Sequence, residues 1–161
     1  MTVQRILNAQ EGKEPGHISP DADIAEVLDS LASQDVGALI VSSDGIKVEG
    51  IISERDIVRS LQTVGPDLLK RRVRDLMTKD VVTCVPEDRA AGIMAVMVSR
   101  HLRHIPVVNE NGRFISMVSI RDLLQLRLDE VRSEAEAMRS YIVGEHLAGQ
   151  AETGFITAVR S

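Results

Sequence analysis

The chain is poor in aromatic residues, with no tryptophan, one tyrosine and two phenylalanines. Its core must therefore be aliphatic. Surfaces on which bases could stack are nearly absent, which argues against single-stranded nucleic-acid binding. Positive charge is not in excess either. The formal net charge is -5, which disfavours non-specific association with DNA. Cys84 is the single cysteine, so no internal disulfide can form, and a reducing cytoplasmic setting is expected. In its apolar stretch it reads as a small buried hydrophobe rather than a reactive thiol. No apolar run reaches the length of a membrane span, and Met1-Thr2-Val3-Gln4-Arg5 does not open a signal peptide. Catalytic patterns are also missing. There is no Ser-x-x-Lys, no nucleophile elbow, no Cys/His pair of known spacing and no Gly-x-x-x-x-Gly-Lys-Ser/Thr loop. Gly45 to Gly50 has the glycine spacing alone and reads as a hairpin. The expectation is a non-catalytic, soluble, globular chain of 161 residues, 43% of them hydrophobic.

What is present is a repeat. Ile18–Leu61 is written again at Cys84–Arg127, 66 residues later, with a one-residue slip at the turn. Pro20 falls on Pro86, Ser33 on Ser99, and Ser53-Glu54-Arg55-Asp56 on Ser119-Ile120-Arg121-Asp122. Any site is then expected twice, or between the copies. Each copy reads as β-α-β-β-α, an α/β (α+β) unit. Ile24, Val27, Leu28, Leu31 and Ala32 recur at helical spacing, as do Ala90, Ile93, Met94, Met97 and Val98. Asp23 is placed to cap the first of these helices. Ala38–Val41 and Ile105–Val108 predict short strands. Asp44-Gly45 and Asn111-Gly112 predict hairpin turns into return strands at Val48–Ile52 and Phe114–Val118. Second helices follow, over Arg55 to about Leu61 and from Arg121 onward. Pro106 lacks a backbone donor, which places its strand at an edge or near a strand start. One copy is too small to bury a core well alone, and two stacked copies are not.

The remainder is a leader (Met1–Gly16), a linker (Gln62–Val82) and a tail. Lys70-Arg71-Arg72-Val73-Arg74 is the one dense basic run. It fits a solvated helix face or a contact to an anionic ligand. In the tail, Leu124, Leu128, Val131, Ala135, Met138 and Ile142 recur in steps of four and three. That is a heptad-like stripe on a helix expected to end near Gly144. The stripe could pack on its own domain or at a subunit boundary, and the boundary is the expectation carried forward. Gln150–Ser161 is expected to fray. The expected division is 1–64 (first repeat with leader), 65–127 (linker and second repeat), 128–149 (C-terminal helix) and 150–161 (tail).

The order and duplication of three sequence pieces carry a resemblance. They are Leu76-Met77-Thr78 with Val81-Val82-Thr83, His104-Ile105-Pro106-Val107-Val108, and Gly50-Ile51-Ile52-Ser53-Glu54-Arg55-Asp56. Over residues 3 to 127 the chain resembles a CBS-domain pair, or Bateman module, of the small stand-alone bacterial kind. The resemblance implies two repeats related by a pseudo-twofold, with clefts between them that often hold adenosine-containing ligands. It implies an adenine nucleotide here, AMP first, with ATP, ADP or NAD(H) as alternatives.

The motif chemistry agrees with that implication. A strand ends and a helix begins at Ser53, so backbone N–H groups there favour an anion. Ser53 or Ser119 can donate to a phosphate, Asp56 or Asp122 can accept from ribose hydroxyls, and Arg55 or Arg121 can fork onto phosphate. The same Ser-x-x-Asp spacing also describes a plain capping box, and the two roles can coexist. In the second copy Ser116 replaces the motif glycine, which could alter how closely the backbone approaches a ligand.

By the resemblance, adenine would lie against Met77, Val81, Thr83 and Arg103-His104-Ile105-Pro106. The counterparts are Pro15, His17 and Val36-Gly37-Ala38. Because Gly37-Ala38 offers no side-chain donors and Arg103-His104 does, unequal clefts are expected. His101 and His104 lack a third ligand nearby in sequence, so no metal is expected. The expected whole is a cytoplasmic regulatory homodimer that binds an adenine nucleotide, with an unnamed protein partner and no nucleic acid or membrane. A protein-interaction module with vestigial clefts is the rival.

Overall fold

The computed structural model describes residues 1–10 and 16–152, without the side chains of 143–152. It divides into two compact units, Met1–Leu123 and the stretch from Leu124.

In the first unit the leader forms α1 (Gln4–Ala9). The first repeat is β1 (His17–Ile18), α2 (Ile24–Gln34), β2 (Ala38–Val41), β3 (Gly50–Ser53) and α3 (Glu54–Val64). The linker contributes a 3-10 turn over Gly65–Lys70 and α4 (Val73–Leu76). The second repeat is α5 (Ala90–Arg100), β4 (His104–Val108), β5 (Phe114–Ser119) and α6 (Ile120–Glu152). Its lead-in strand is reduced to one parallel bridge between Cys84 and Val107.

Local chemistry sets these boundaries. Asp23 Oδ1 accepts from the Glu26 N–H at 3.0 Å, and Glu26 Oε2 accepts from the Asp23 N–H at 3.2 Å. This reciprocal box satisfies donors that the first turn of α2 leaves open. α2 stops at Asp35 and α5 at His101, with left-handed φ of 52° and 55°. Among the described residues these are the only non-glycine positions with positive φ, and they are equivalent in the two repeats. The left-handed turn redirects the chain from helix into strand.

The return strand of the first repeat begins at Gly50 rather than Val48. Asp44 Oδ1 gathers the N–H groups of Ile46 and Lys47 and the hydroxyl of Ser42, which widens the turn before pairing resumes. β2 runs parallel to β1 and antiparallel to β3, with Leu39 opposite Ile52. β4 and β5 are antiparallel, with Ile105 opposite Val118. The Pro106 carbonyl accepts from the Cys84 N–H. Its missing donor therefore faces the side where pairing is a single bridge, as expected for an edge.

Ile24, Val27 and Leu31 of α2 pack with Leu39, Val41, Ile52 and Ile57. Each such side chain contributes about 1.5–3 kcal/mol on full burial. The linker closes this core through Leu68 and Val73.

The leading segments cross over. α4 precedes the second repeat but is tied to the first: Val73 N–H donates to Ala22 O and Arg74 N–H to Pro20 O, both at 3.0 Å. α1 precedes the first repeat but is tied to the second: Val3 N–H donates to Asp88 O at 2.9 Å and Gln4 N–H to Pro86 O at 2.8 Å. The basic run belongs to this crossing. Arg72 donates to the Asp21 carbonyl at 2.6 Å, and Arg74 pairs with the Asp21 carboxylate. Arg72 and Arg74 thus fasten the linker, while Lys70, Arg71, Arg72 and Arg74 all remain exposed. The two hairpins also meet, through a bridge between Lys47 and Arg113.

α6 carries the second motif and continues unbroken through Gly144 to Glu152, so the helix does not end where expected. A glycine costs a helix interior about 1 kcal/mol and does not by itself stop it. The expected frayed segment is helical through Glu152, and residues 153–161 lie outside the described residues. Along the second unit Leu124, Leu128, Val131, Met138 and Ile142 are exposed, Met138 at 72%.

Candidate functional site

Both motifs fold the same way. The N–H and hydroxyl of Ser53 donate to Asp56 Oδ2 at 2.8 and 2.6 Å. Ser119 does the same to Asp122 Oδ2 at 2.8 and 2.6 Å. The Asp122 N–H returns a bond to Ser119 Oγ at 3.2 Å. Capping is thus present in both repeats. All four donations land on Oδ2, so the second oxygen of each carboxylate stays outside the box.

The helix starts are less open to an anion than the sequence implies. Glu54 N–H donates to Gly37 O at 3.1 Å, and Ile120 N–H to Arg103 O at 2.9 Å. A strand-to-helix junction inside the fold must satisfy these donors. The bonds also hold Gly37 against α3 and Arg103 against α6.

Gly37 and His104 meet. A Cβ on Gly37 would lie 3.2 Å from His104 Cε1 and 3.6 Å from Glu54 Oε2. The two segments expected to line separate clefts therefore share one location, because glycine leaves room for the imidazole. Burial holds the His104 pKa below its ordinary value, against the opposing pull of Asp122 and Glu54. Arg103 and Arg121 add to the lowering.

Beside this contact is a groove of about 370 Å³, lined by Leu28, Leu31, Ala32, Asp35, Val36, Gly37, Glu54 and Arg121. At the equivalent place in the other repeat, Arg55 Nη1 donates to His101 O at 3.4 Å. Val36, Gly37 and Arg121 were read from the sequence. Asp35 and Glu54 were not. Glu54 sits at a motif position where the second copy carries isoleucine, and that mismatch was the available signal.

The other expected residues are distributed. Ala38 lies opposite Ser53 in the sheet, and His104 opposite Ser119. Ile105 and Pro106 are buried in β4. Met77 covers Gly50, with its sulfur 2.6 Å from where a Cβ would stand, and Thr78 pairs with Ile51. Val81 is half-buried and Thr83 exposed. His17 lies against the Gly45 turn, its Nε2 3.3 Å from the Cβ position there. Pro15 lies outside the described residues. Ser116, at the position equivalent to Gly50, has its hydroxyl 3.0 Å from Gln10 Oε1. Gln10 Nε2 reaches the Met117 carbonyl at 3.4 Å. Cys84 is buried and its pKa is pushed up to about 12 by desolvation, as befits an inert thiol. Among the described residues no group of three His, Cys, Asp or Glu is placed to hold a metal, and no helix is long and apolar enough to cross a membrane.

A duplicated β-α-β-β-α unit with matching Ser–Asp boxes, its leaders crossed between copies, defines a tandem α/β repeat module. The family described as CBS domain matches twice, at residues 12–63 and 73–129. The chain belongs to the CBS-domain family, as a pair. It is 34% identical over 128 residues to the CBS domain-containing protein CBSX3, mitochondrial, of Arabidopsis thaliana, covering 77% of this chain and 62% of that protein. It therefore spans less than two thirds of that relative's length. Among solved structures, the CBS-domain containing protein ATU1752 from Agrobacterium tumefaciens superposes with a TM-score of 0.74 at 34% identity, covering 79% of this chain and 99% of that one. The CBS domain protein PAE2072 from Pyrobaculum aerophilum, complexed with AMP, gives a TM-score of 0.65 at 25% identity over 76% of this chain and 89% of that one.

Proposed function

We propose that this chain is a non-catalytic regulatory module whose paired repeats bind an adenosine-containing ligand, AMP first among candidates. The duplicated Ser–Asp box carries the reading. Each carboxylate is held by two bonds to one oxygen, which fixes the other to accept from the vicinal hydroxyls of a ribose. The AMP complex of the Pyrobaculum protein supports the ligand class. Ser53 or Ser119 and Arg55 or Arg121 would meet the 5′ substituent. A ligand held by both repeats would favour one arrangement of the pair and so the surface shown to a partner. Mass spectrometry of small molecules that co-purify with the protein tests this, followed by calorimetry with AMP, ATP and NAD(H). An adenosine compound bound at stoichiometric ratio is the expected result. No binding of any of them would favour a protein-interaction module with vestigial clefts.

The reading includes a homodimer. The exposed stripe from Leu124 to Ile142 is a seam that a second copy would cover in a two-fold arrangement.

A further inference from the structure

The duplication gives both motif acids the same Ser–Asp box but sets different residues across the sheet from them. His104 lies opposite Ser119 in the β4–β5 pair. Ala38, its equivalent 66 residues earlier, lies opposite Ser53 in the β2–β3 pair. An ionisable ring therefore neighbours the Asp122 box, and a methyl group takes the equivalent place beside Asp56. The ring is half-buried. It fills the space that Gly37 leaves, and Glu54 Oε2 approaches the same spot.

Four charged groups act on this ring. Asp122 and Arg121 reach it from α6, Glu54 from α3, and Arg103 from the residue before it. Burial favours the neutral imidazole. Once the ring takes a proton, Asp122 attracts it most, then Glu54, while Arg103 and Arg121 repel it. Asp122 has committed Oδ2 to Ser119. Its other oxygen is the one read above as the ribose acceptor. A carboxylate that stabilises an imidazolium is a weaker acceptor for ribose hydroxyls, because both draw on the same negative charge. The coupling is reciprocal: a ribose held by Asp122 must disfavour the imidazolium to the same extent.

We propose that His104 is a proton-operated gate on the Asp122 motif: the neutral ring leaves the ribose acceptor free, the imidazolium claims it, and the Asp56 motif, with Ala38 in that place, has no gate. This rests on the adenosine reading above and adds its regulation. His104 acts through Asp122 and is a positioning residue. On acidification the pair would give up its ligand at one motif and keep it at the other.

The test is calorimetry on the full chain with adenosine, which carries no phosphate to titrate in the range of histidine. From about pH 7.5 to about pH 5.5, Asp56→Ala, which leaves the Asp122 motif, should bind several-fold more weakly. About tenfold is the ceiling for a histidine titrating no higher than about 6.5. Asp122→Ala, which leaves the Asp56 motif, should show a flat profile, as should His104→Gln in the Asp56→Ala background. Wild type needs no substitution for the second readout: titration in buffers of different ionisation enthalpy near pH 6 should show protons released on binding. Adenosine binding with a flat profile in Asp56→Ala, or with the same slope after His104→Gln, overturns the proposal. So does binding by wild type without proton release. These outcomes leave the adenosine reading intact. Failure of adenosine to bind wild type at any pH removes the proposal together with that reading.

Discussion

His104 of the second repeat stands where a side chain on Gly37 of the first would have to go, its Cε1 3.2 Å from the vacant Cβ position. Gly37→Ala should therefore push the ring away and destabilise the fold, by about 1–3 kcal/mol as for other overpacked sites. His104→Ala should relieve most of that cost. A double-mutant cycle by urea denaturation checks it, with a coupling of about 0.5–3 kcal/mol expected for residues in contact.

The same ring makes stability depend on pH. Its folded pKa lies below the unfolded 6.5 because burial disfavours the charged form. The unfolded chain then takes up the proton first as pH falls. The contribution of a neutral His104 is fully present above pH 6.5 and is lost as pH drops from there through the lowered folded value. Melting temperatures of wild type and His104→Gln should converge on that descent, and parallel curves would contradict the assignment.

Loss of either motif acid should act on ligand and fold together. Asp56→Ala or Asp122→Ala should cost about 1.5–3 kcal/mol of nucleotide affinity where that acid holds ribose. Each should also remove about 1 kcal/mol of helix capping. Calorimetry paired with thermal melting separates the two effects. Unchanged affinity with a lowered melting temperature in both variants would reduce the motif to a cap.

Ser116 and Gln10 make a second long-range pair. Ser116→Gly restores the motif glycine but removes the hydroxyl that meets the leader. It should loosen the leader, read as faster amide exchange over residues 4–9, while exchange at Thr78 and Ile51 stays slow.

Met138→Glu places a charge in the exposed stripe of α6. If that stripe is the seam of a homodimer, light scattering should show weaker association. Truncation after Leu126 should do the same and leave nucleotide binding largely intact.

Much of the fold was legible because each copy repeats the same periodicity. Helix α2 and its Asp23 box, β2 at Ala38–Val41, and the placement of Pro106 follow from spacing and cap chemistry within a few residues. The return strand was read two residues early because Asp44 organises its turn through bonds that a dipeptide signal does not reveal. Helix α6 was expected to end near Gly144 because glycine was given more weight as a stop than its cost warrants. The paired boxes of Ser53 with Asp56 and Ser119 with Asp122 were legible, because they form locally. Asp35, Glu54 and Gln10 were not legible. Gln10 meets Ser116 across 106 positions, and Asp35 and Glu54 come beside Arg121 only in the fold. The structural use of Arg72 and Arg74 is likewise a long-range matter, settled by Asp21.

The crossing of α1 and α4 constrains how this chain can be divided. A cut in the linker between the repeats would leave the first half without the segment that seals it and carrying a leader shaped for the other half. The second half would keep a strap with nothing to fasten. Each fragment should therefore be less stable than the pair, although each contains a whole motif. Gain or loss of a single copy by gene rearrangement would be expected to yield an unsealed product.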